Sequence, residues 1–283
     1  MLNAAIKCII VLWVGLFINC LIATEVESSP NQYHIDIVAG RNPDMHSYEI
    51  RAQSIAKINN NLTDAELNSI KEFLHEKRPD NISVLAYNSL KNELVRIILR
   101  QNRQNELVCD WLIEMFADKK NEITWRDYCV QFLGLIYPRS SAEYKVKIKD
   151  ELINALKELD NGVAGASLIA LYHNIDEKNI EKKFVSDSAL SLVNNSKCPE
   201  YVLTSAMQIA AMCGNSKIIP RCRYILENPT GHSINLKAAA VAALGTLNDA
   251  GTIDLIKPYL TNSDIRISAA AKSAMEKLVR IKK

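Results

Sequence analysis

Apolar side chains recur along most of this chain at helical spacing. In "LKAAAVAALGTL" they fall at Leu236, Ala239, Ala240, Ala243, Leu244 and Leu247, which is one face of a helix at i, i+3, i+4, i+7, i+8 and i+11. Starting 31 residues later, "ISAAAKSAMEKL" puts Ile267, Ala270, Ala271, Ala274, Met275 and Leu278 at the same places. Small residues in the middle of such a face admit another helix at close range, while larger ends fill the space beyond. The template also fits upstream, at Leu203, Ala206, Met207, Ala210 and Ala211 with Gly214 in the last place, and at Val163, Ala166, Ser167, Ala170 and Leu171. It returns with bulkier residues at Trp125, Tyr128, Cys129, Phe132, Leu133 and Ile136, and more loosely at Tyr87, Leu90, Leu94, Val95 and Ile98. Successive copies stand 38, 38, 40, 33 and 31 residues apart. A helical hairpin with short turns needs about that length, within the roughly 20 to 50 residues of solenoid periods.

A second apolar helix lies between copies, as in "ELVCDWLIEMF", "YKVKIKDELINALKEL", "FVSDSALSLV", "KIIPRCRYIL" and "TIDLIKPYL". Each unit therefore reads as helix, turn, helix. Thr63-Asp-Ala-Glu66 and Ser140-Ser-Ala-Glu143 have the form of capping boxes, and "NPTG", "NDAG" and "DNG" mark turns. After residue 60 no stretch alternates with period two for long enough to propose a sheet. The pattern predicts an all-α protein, an α-solenoid of stacked hairpins over residues 61–283, running from a capping helix at about Asp64 to Glu76 to a terminal cap, "IRISAAAKSAMEKLVRIKK", with no visible partner. Residues 24–60 lack the template. They read as a partly ordered arm in which "YHIDIVAG" suggests a short edge strand and "HSYEIRAQSIAKI" a first helix.

"SDIRISAAAKSAMEKL", with an acidic turn, Ile-Arg, an Ala-rich helix and a closing Leu, resembles the short HEAT repeats also found in phycobilin-lyase-type proteins, and "LKAAAVAALGTLNDAGTIDLIKPYL" resembles one whole unit. The resemblance covers about residues 199 to 281. From 82 to 198 the units are longer and lack the Asp-x-x-Arg turn, so an armadillo-like or other α-solenoid type remains open there. Tetratricopeptide repeats fit worse, because the period varies and their Trp, Leu-Gly and Tyr signature is missing. The resemblance implies stacked helix pairs whose curved surface holds other proteins.

Composition narrows the function classes. With 283 residues and 48% hydrophobic content the chain can bury a sizeable core, and nine glycines, eight prolines and 6% aromatics suit helices. The net charge of +2 gives no field to gather a polyanion. The opening "MLNAAIKCIIVLWVGLFINCLIATEVESSP" reads over residues 1–23 as a secretory signal peptide, with retention as a membrane anchor the alternative. Cys20 ends the apolar run and is a candidate lipidation site for a bacterial host, although the bulky Asn19 departs from the small residue such sites carry. Past the leader, Cys109, Cys129, Cys198, Cys213 and Cys222 have no metal spacing and read as buried structural thiols, with a Cys213 to Cys222 disulfide the one pairing suggested. Asn61, Asn81 and Asn194 match the glycosylation acceptor pattern, which matters in a eukaryotic host.

Candidate chemistry is sparse. Arg96, Arg100 and Arg103 recur at i, i+4 and i+7 as a basic stripe, the best argument for a nucleic-acid role, but Glu93 and Glu106 flank it and the leader directs the chain away from nucleic acid. His34 and His46 lie near Asp36 and Asp44 without a ligand spacing, and His75, His173 and His232 stand alone as turn or surface residues. Trp111 and Trp125 fall on core faces. No phosphate loop, nucleophile elbow, paired-His helix or Cys-x-x-Cys occurs, so no catalytic, cofactor or metal residue is named. The reading is an exported, non-enzymatic protein-interaction or scaffolding module of the cell envelope, periplasm or extracellular space. Its partners are proteins, and it meets a membrane only through an uncleaved or lipidated N-terminal segment. The alternative is an enzyme on a HEAT scaffold, acting as a tetrapyrrole-protein lyase or a DNA glycosylase.

Overall fold

A computed structural model describes residues 29–42, 44, 47–101, 105–159, 161–176 and 178–281. Those residues contain fourteen α-helices and no strand, and the chain divides into two compact units at Ile70/Lys71. The leader with Cys20 lies outside the described residues, as do His46 and Arg103. Among the described residues no helix is long and apolar enough to cross a membrane.

In the first unit the expected edge strand is a helix, α1 (Pro30–Ala39). Ser29 caps it by accepting from the Gln32 amide, Pro30 occupies its first turn, and Gly40 ends it with φ 78°, its amide returning to the Asp36 and Ile37 carbonyls. Serine before, proline at the first position and glycine just past the end are the bracket of a helix, and they outweigh the short alternation in "HIDIV". A second helix, α2 (Tyr48–Ile55), follows within the stretch read as an arm, and α3 (Asp64–His75) starts where the capping helix was expected. The Thr63 box is formed: Thr63 N–H donates to Glu66 Oε2 at 2.6 Å and Glu66 N–H to Thr63 Oγ1 at 3.3 Å. Ser29 Oγ also donates to Glu66 Oε1, and the Asn31 side chain donates from Nδ2 to Asn59 Oδ1 and accepts at Oδ1 from the Asn59 N–H.

The second unit is an α-solenoid. Its helices are α4 (Val84–Arg100), α5 (Asn105–Ala117), α6 (Ile123–Ile136), α7 (Ala142–Ala155), α8 (Val163–His173), α9 (Lys182–Asn194), α10 (Glu200–Met212), α11 (Ile219–Glu227), α12 (Ile234–Thr246), α13 (Ile253–Ile256) and α14 (Ile265–Ile281). The six template copies are α4, α6, α8, α10, α12 and α14, and each packs on the next. The intervening helices pack on their hairpin partners, α5 on α6, α7 on α8, α9 on α10, α11 on α12 and α13 on α14. The terminal helix therefore has a partner: α13 with its two flanking 3-10 turns, the "TIDLIKPYL" segment that the sequence assigns to the unit of the preceding copy. Leu236, Ala239, Ala240, Ala243 and Leu244 are buried, as are Ile267, Ala271, Ala274 and Leu278, so the template face is the face that stacks.

Glycine sets how closely two of these helices approach. A Cβ placed on Gly245 of α12 would lie 2.5 Å from the Cβ and 2.6 Å from the Cα of Ala274 on α14. On α6 the same test puts a Gly134 Cβ 2.7 Å from the Cβ of Ala170 on α8. Both glycines stand nine places into their template copies and face the Ala seven places into the next, so the close contact repeats with the sequence.

The hairpins before residue 175 share a second device. The last turn of a helix leaves carbonyls without intrahelical donors. In these hairpins the second helix supplies one. Arg51 Nε of α2 donates to Val38 O of α1 at 2.8 Å. Lys91 Nζ of α4 donates to Leu74 O at 2.6 Å and Glu76 O at 3.2 Å, at the end of α3. Arg126 Nε of α6 donates to Phe116 O of α5 at 2.7 Å, and Ser167 Oγ of α8 to Leu152 O of α7. All four side chains are buried. The Ser140 capping box is not formed, because α7 begins one residue later than the motif requires: Ser141 is its cap position, and Ser140 Oγ instead donates back to Ile136 O at 3.1 Å.

Candidate binding surfaces

The basic stripe opens onto a cavity. Arg96 and Arg100, four residues apart on α4, share one face, and Arg139 reaches the same space from the 3-10 turn that ends α6. The three guanidinium-bearing side chains surround about 360 Å³ whose walls are otherwise Leu99, Phe132, Leu135 and Ile136. Leu135 is 59% exposed there, a large apolar surface left in water. Arg96 is held by Asn92 Oδ1 at 2.8 Å and by Glu93 at 3.6 Å, the flanking acid noted in the sequence. Arg103 is not among the described residues. Arg139 was missed as a member of the set, though a signal existed: Arg100 and Arg139 both stand just beyond the last template position of their copies, Ile98 and Ile136.

A wider groove crosses the exposed side of α10, α12 and α14, with a volume of about 640 Å³. Its floor is built from Ala238 and Ala242, which lie between the template positions of α12, and from Ala270, a template position of α14. Glu200, Tyr201 and Gln208 line one side, and Asn235 and Arg266 the other. Tyr201 is half exposed, with its hydroxyl donating to Leu159 O at 3.0 Å. Arg266 is fixed by its neighbours: Nε donates to Asp264 Oδ1 at 3.0 Å, Nη2 to Asp264 Oδ2 at 2.5 Å, and Nη1 to Asn235 Oδ1 at 2.8 Å. The Arg266 guanidinium in turn holds the Asp264 carboxyl down at about 2. Glu200 accepts from His232 Nδ1 at 2.9 Å and from Ser233 N–H at 3.0 Å. Burial alone would raise the Glu200 pKa, but these bonds outweigh it and lower it. His232, read as a lone turn residue, is thus a positioning partner of a groove carboxylate.

The remaining candidates are structural. Trp111 and Trp125 are in the core. All five described cysteines are free, so the suggested Cys213 to Cys222 disulfide does not form. Burial pushes the Cys109 and Cys222 thiols up to about 12 and raises that of Cys129 as well, which leaves these sulfurs protonated and inert. His34 is half-buried in α1, and burial lowers the pKa of both His34 and His75. Among the described residues no group of three or more His, Cys, Asp or Glu side chains is placed to hold a metal ion.

No family model matches the chain, and no curated protein does. Among solved structures it is similar to human deoxyhypusine hydroxylase in complex with glycerol, with a TM-score of 0.36 and 12% identity, covering 89% of this chain and 97% of that one.

Proposed function

We propose that this chain is a non-enzymatic protein-binding module of the HEAT-repeat kind, exported to the cell envelope or beyond it, which holds an extended segment of another protein along the groove over α10, α12 and α14. The groove is the observation that carries this reading. Three helices side by side, at the usual 8 to 10 Å spacing, give a track of roughly 20 Å, the length of about six extended residues. An alanine floor lets a backbone approach closely. The amide side chain of Gln208 offers a donor and an acceptor, the complement of a peptide group, and that of Asn235, whose Oδ1 already holds Arg266, offers its donors. Tyr201 and Arg266 bracket the track, and these are the residue types that dominate binding at interfaces. Because Arg266 is already fixed by Asp264 and Asn235, it loses little freedom when a partner arrives.

The test is site-specific crosslinking in the native host, with a photoreactive residue in place of Tyr201. A discrete adduct that vanishes when Ala242→Glu blocks the floor supports the groove. An adduct unchanged by Ala242→Glu, or none at all, removes it. The intact mass of the same material tests export: a chain starting near Thr24, or at a lipidated Cys20, is expected, and a full-length chain recovered from cytosol would overturn that part.

The other class, an enzyme on the same scaffold, is favoured by the Arg96, Arg100 and Arg139 cavity, which suits a phosphate-bearing polymer. It predicts DNA binding with a log–log salt slope of about −2 to −3, lost on Arg100→Glu. Salt-independent or absent binding rejects it.

A further inference from the structure

At the opposite end of α4 from the arginines, a cavity of about 490 Å³ is walled by Tyr87, Asn88 and Lys91 of α4 and Trp125 of α6, with the turns after α3 and α5 forming its rim. Its inner wall is unusual in carrying donors that lack acceptors. Asn88 and Trp125 are each 1% exposed, and neither Asn88 Nδ2 nor Trp125 Nε1 has a hydrogen-bond partner. Asn88 and Lys91 are three apart on one helix and so share a face. Lys91 is also buried, and its hydrogen bonds go to two carbonyls rather than to a carboxylate. Its Nζ lies 4.9 Å from the Tyr87 ring centroid and 5.4 Å from that of Trp125, so the charge sits over both aromatic rings of the wall. Buried donors without acceptors are each costly, and a buried cation that is hydrogen-bonded only to carbonyls is costly too. The rim carries Lys77, Arg78 and Lys120 against Glu76, Asp80, Asp118 and Glu122, one negative charge in excess that Lys91 of the inner wall offsets, so attraction of an anion falls to the inner wall.

We propose that this cavity binds a small carboxylate ligand, whose two oxygens accept from Asn88 Nδ2 and Trp125 Nε1 while Lys91 balances its charge. A carboxylate matches the wall because it is acceptor-only and offers two oxygens to two N–H groups. Burial pushes the Lys91 pKa down to about 8, and the nearby Glu76 carboxylate offsets only part of that fall. The site shares no residue with the groove over α10, α12 and α14, and stands or falls independently of it.

The test follows the Trp125 indole N–H in a nitrogen-proton correlation spectrum of the full chain, with the Trp111 indole as an internal control for folding. Sodium acetate is titrated at constant ionic strength against sodium chloride and sodium phosphate. The expected result is a saturable acetate-dependent shift of the Trp125 resonance alone, weakened about tenfold or more by Asn88→Asp, which puts a fixed negative charge where the ligand would sit. Asn88→Ser, which keeps a donor, should lose less. No saturable shift with acetate, the same shift with chloride, saturation by phosphate alone, or an Asn88→Asp protein that stays folded and responds like wild type would each overturn the assignment.

Discussion

From Lys71 to Asn194 and from Glu200 to Ile281 the chain builds one kind of stack out of two kinds of core. In the first stretch the largest fully buried side chains are Trp111, Trp125, Tyr87 and Phe73, and the stacking faces enclose two buried cations, Lys91 and Arg126. In the second, the stacking faces are Ala206, Ala210, Ala239, Ala240, Ala243, Ala271 and Ala274, and among the described residues no buried side chain past Arg126 is charged. Backbone contact follows suit: α12 and α14 touch along most of their length, while α4 and α6 touch at few points. Bulky residues fill a wide interface and leave helix ends accessible from inside, so their last carbonyls are met by long side-chain donors. Small residues bring backbones into contact, and there a helix-end carbonyl such as Leu226 O meets the Tyr259 hydroxyl at 3.5 Å rather than a buried cation. The 38- to 40-residue and 31- to 33-residue periods thus belong to different interfaces as well as different loop lengths.

Breaking a clasp should have the largest effect. Arg126 Nε serves the Phe116 carbonyl, and its Nη2 reaches both Glu158 oxygens at 2.8 Å from a side chain that is 4% exposed. Arg126→Met keeps the apolar stem but strands the Phe116 carbonyl and leaves the Glu158 carboxylate to Lys119 alone, for an expected loss of about 3 kcal/mol in denaturant unfolding. A loss under about 1 kcal/mol would mean that the clasps ornament the first stretch rather than hold it.

The matching test in the second stretch is Gly245→Ala. In an open helix this change stabilises by about 1 kcal/mol, but here the new methyl meets the Ala274 backbone, and overpacking of this kind costs about 1–3 kcal/mol. A net loss of about 2 kcal/mol is expected from the melting curve. Gly134→Ala should cost less, because the Ala170 Cα is 3.3 Å away rather than 2.6 Å. Gly165→Ala, facing the Ser205 hydroxyl at 3.0 Å, meets a side-chain end that can turn aside and should be close to neutral. If the three glycines ranked in any other order, close backbone approach would not be what distinguishes the Ala-rich interface.

What could be read from the chain follows the same division. The stacking register was legible in both stretches because it is periodic: the template positions lie on the helix that stacks, except Gly214 and Leu247 just past their helix ends, and Leu236 and Ile267 fill equivalent buried places 31 residues apart. The Thr63 box was legible because both partners lie within one turn. The clasps were not. Lys91 and Arg126 look in sequence like charges on a solvated helix face, and their burial depends on where the preceding helix ends in space. The α1 helix was hidden by "HIDIV", which alternates like a strand, although Ser29, Pro30 and Gly40 already bracketed it. At the candidate surfaces, two arginines of the cavity followed from helical spacing, whereas the place of Arg139 just past its template copy becomes informative only once α6 is seen to pack beside α4.

A pair of caps offers a control in which the two stretches should behave alike. Ser83 accepts from the Ala86 amide at 3.2 Å and Ser233 from the Leu236 amide at 3.3 Å, at the starts of α4 and α12. Ser83→Ala and Ser233→Ala should each cost about 1 kcal/mol. Equal losses locate the difference between the stretches in their cores, and unequal ones extend it to the helix ends.

The smallest effect is expected in the turn between α8 and α9, near the junction of the two stretches, where Asp176 organises the chain. Its Oδ1 accepts from the Lys178 amide at 3.0 Å, the Asn179 amide at 2.5 Å and the Ile180 amide at 3.2 Å, while its Oδ2 accepts from the Tyr137 hydroxyl at 2.9 Å. Burial would raise its pKa, but the amide and hydroxyl donors prevail and bring it from 3.8 to about 2. Since the folded value lies below the unfolded one, the unfolded state binds the extra proton. The stabilisation is complete above the unfolded value and disappears as pH falls from about 4 to about 2. Solvent around the turn keeps the contribution under about 1 kcal/mol. Asp176→Asn should therefore lower stability slightly at neutral pH and flatten the acid limb of the stability profile over that window. If the variant kept the wild-type slope between pH 4 and 2, the acid sensitivity of this turn would have to come from another carboxylate.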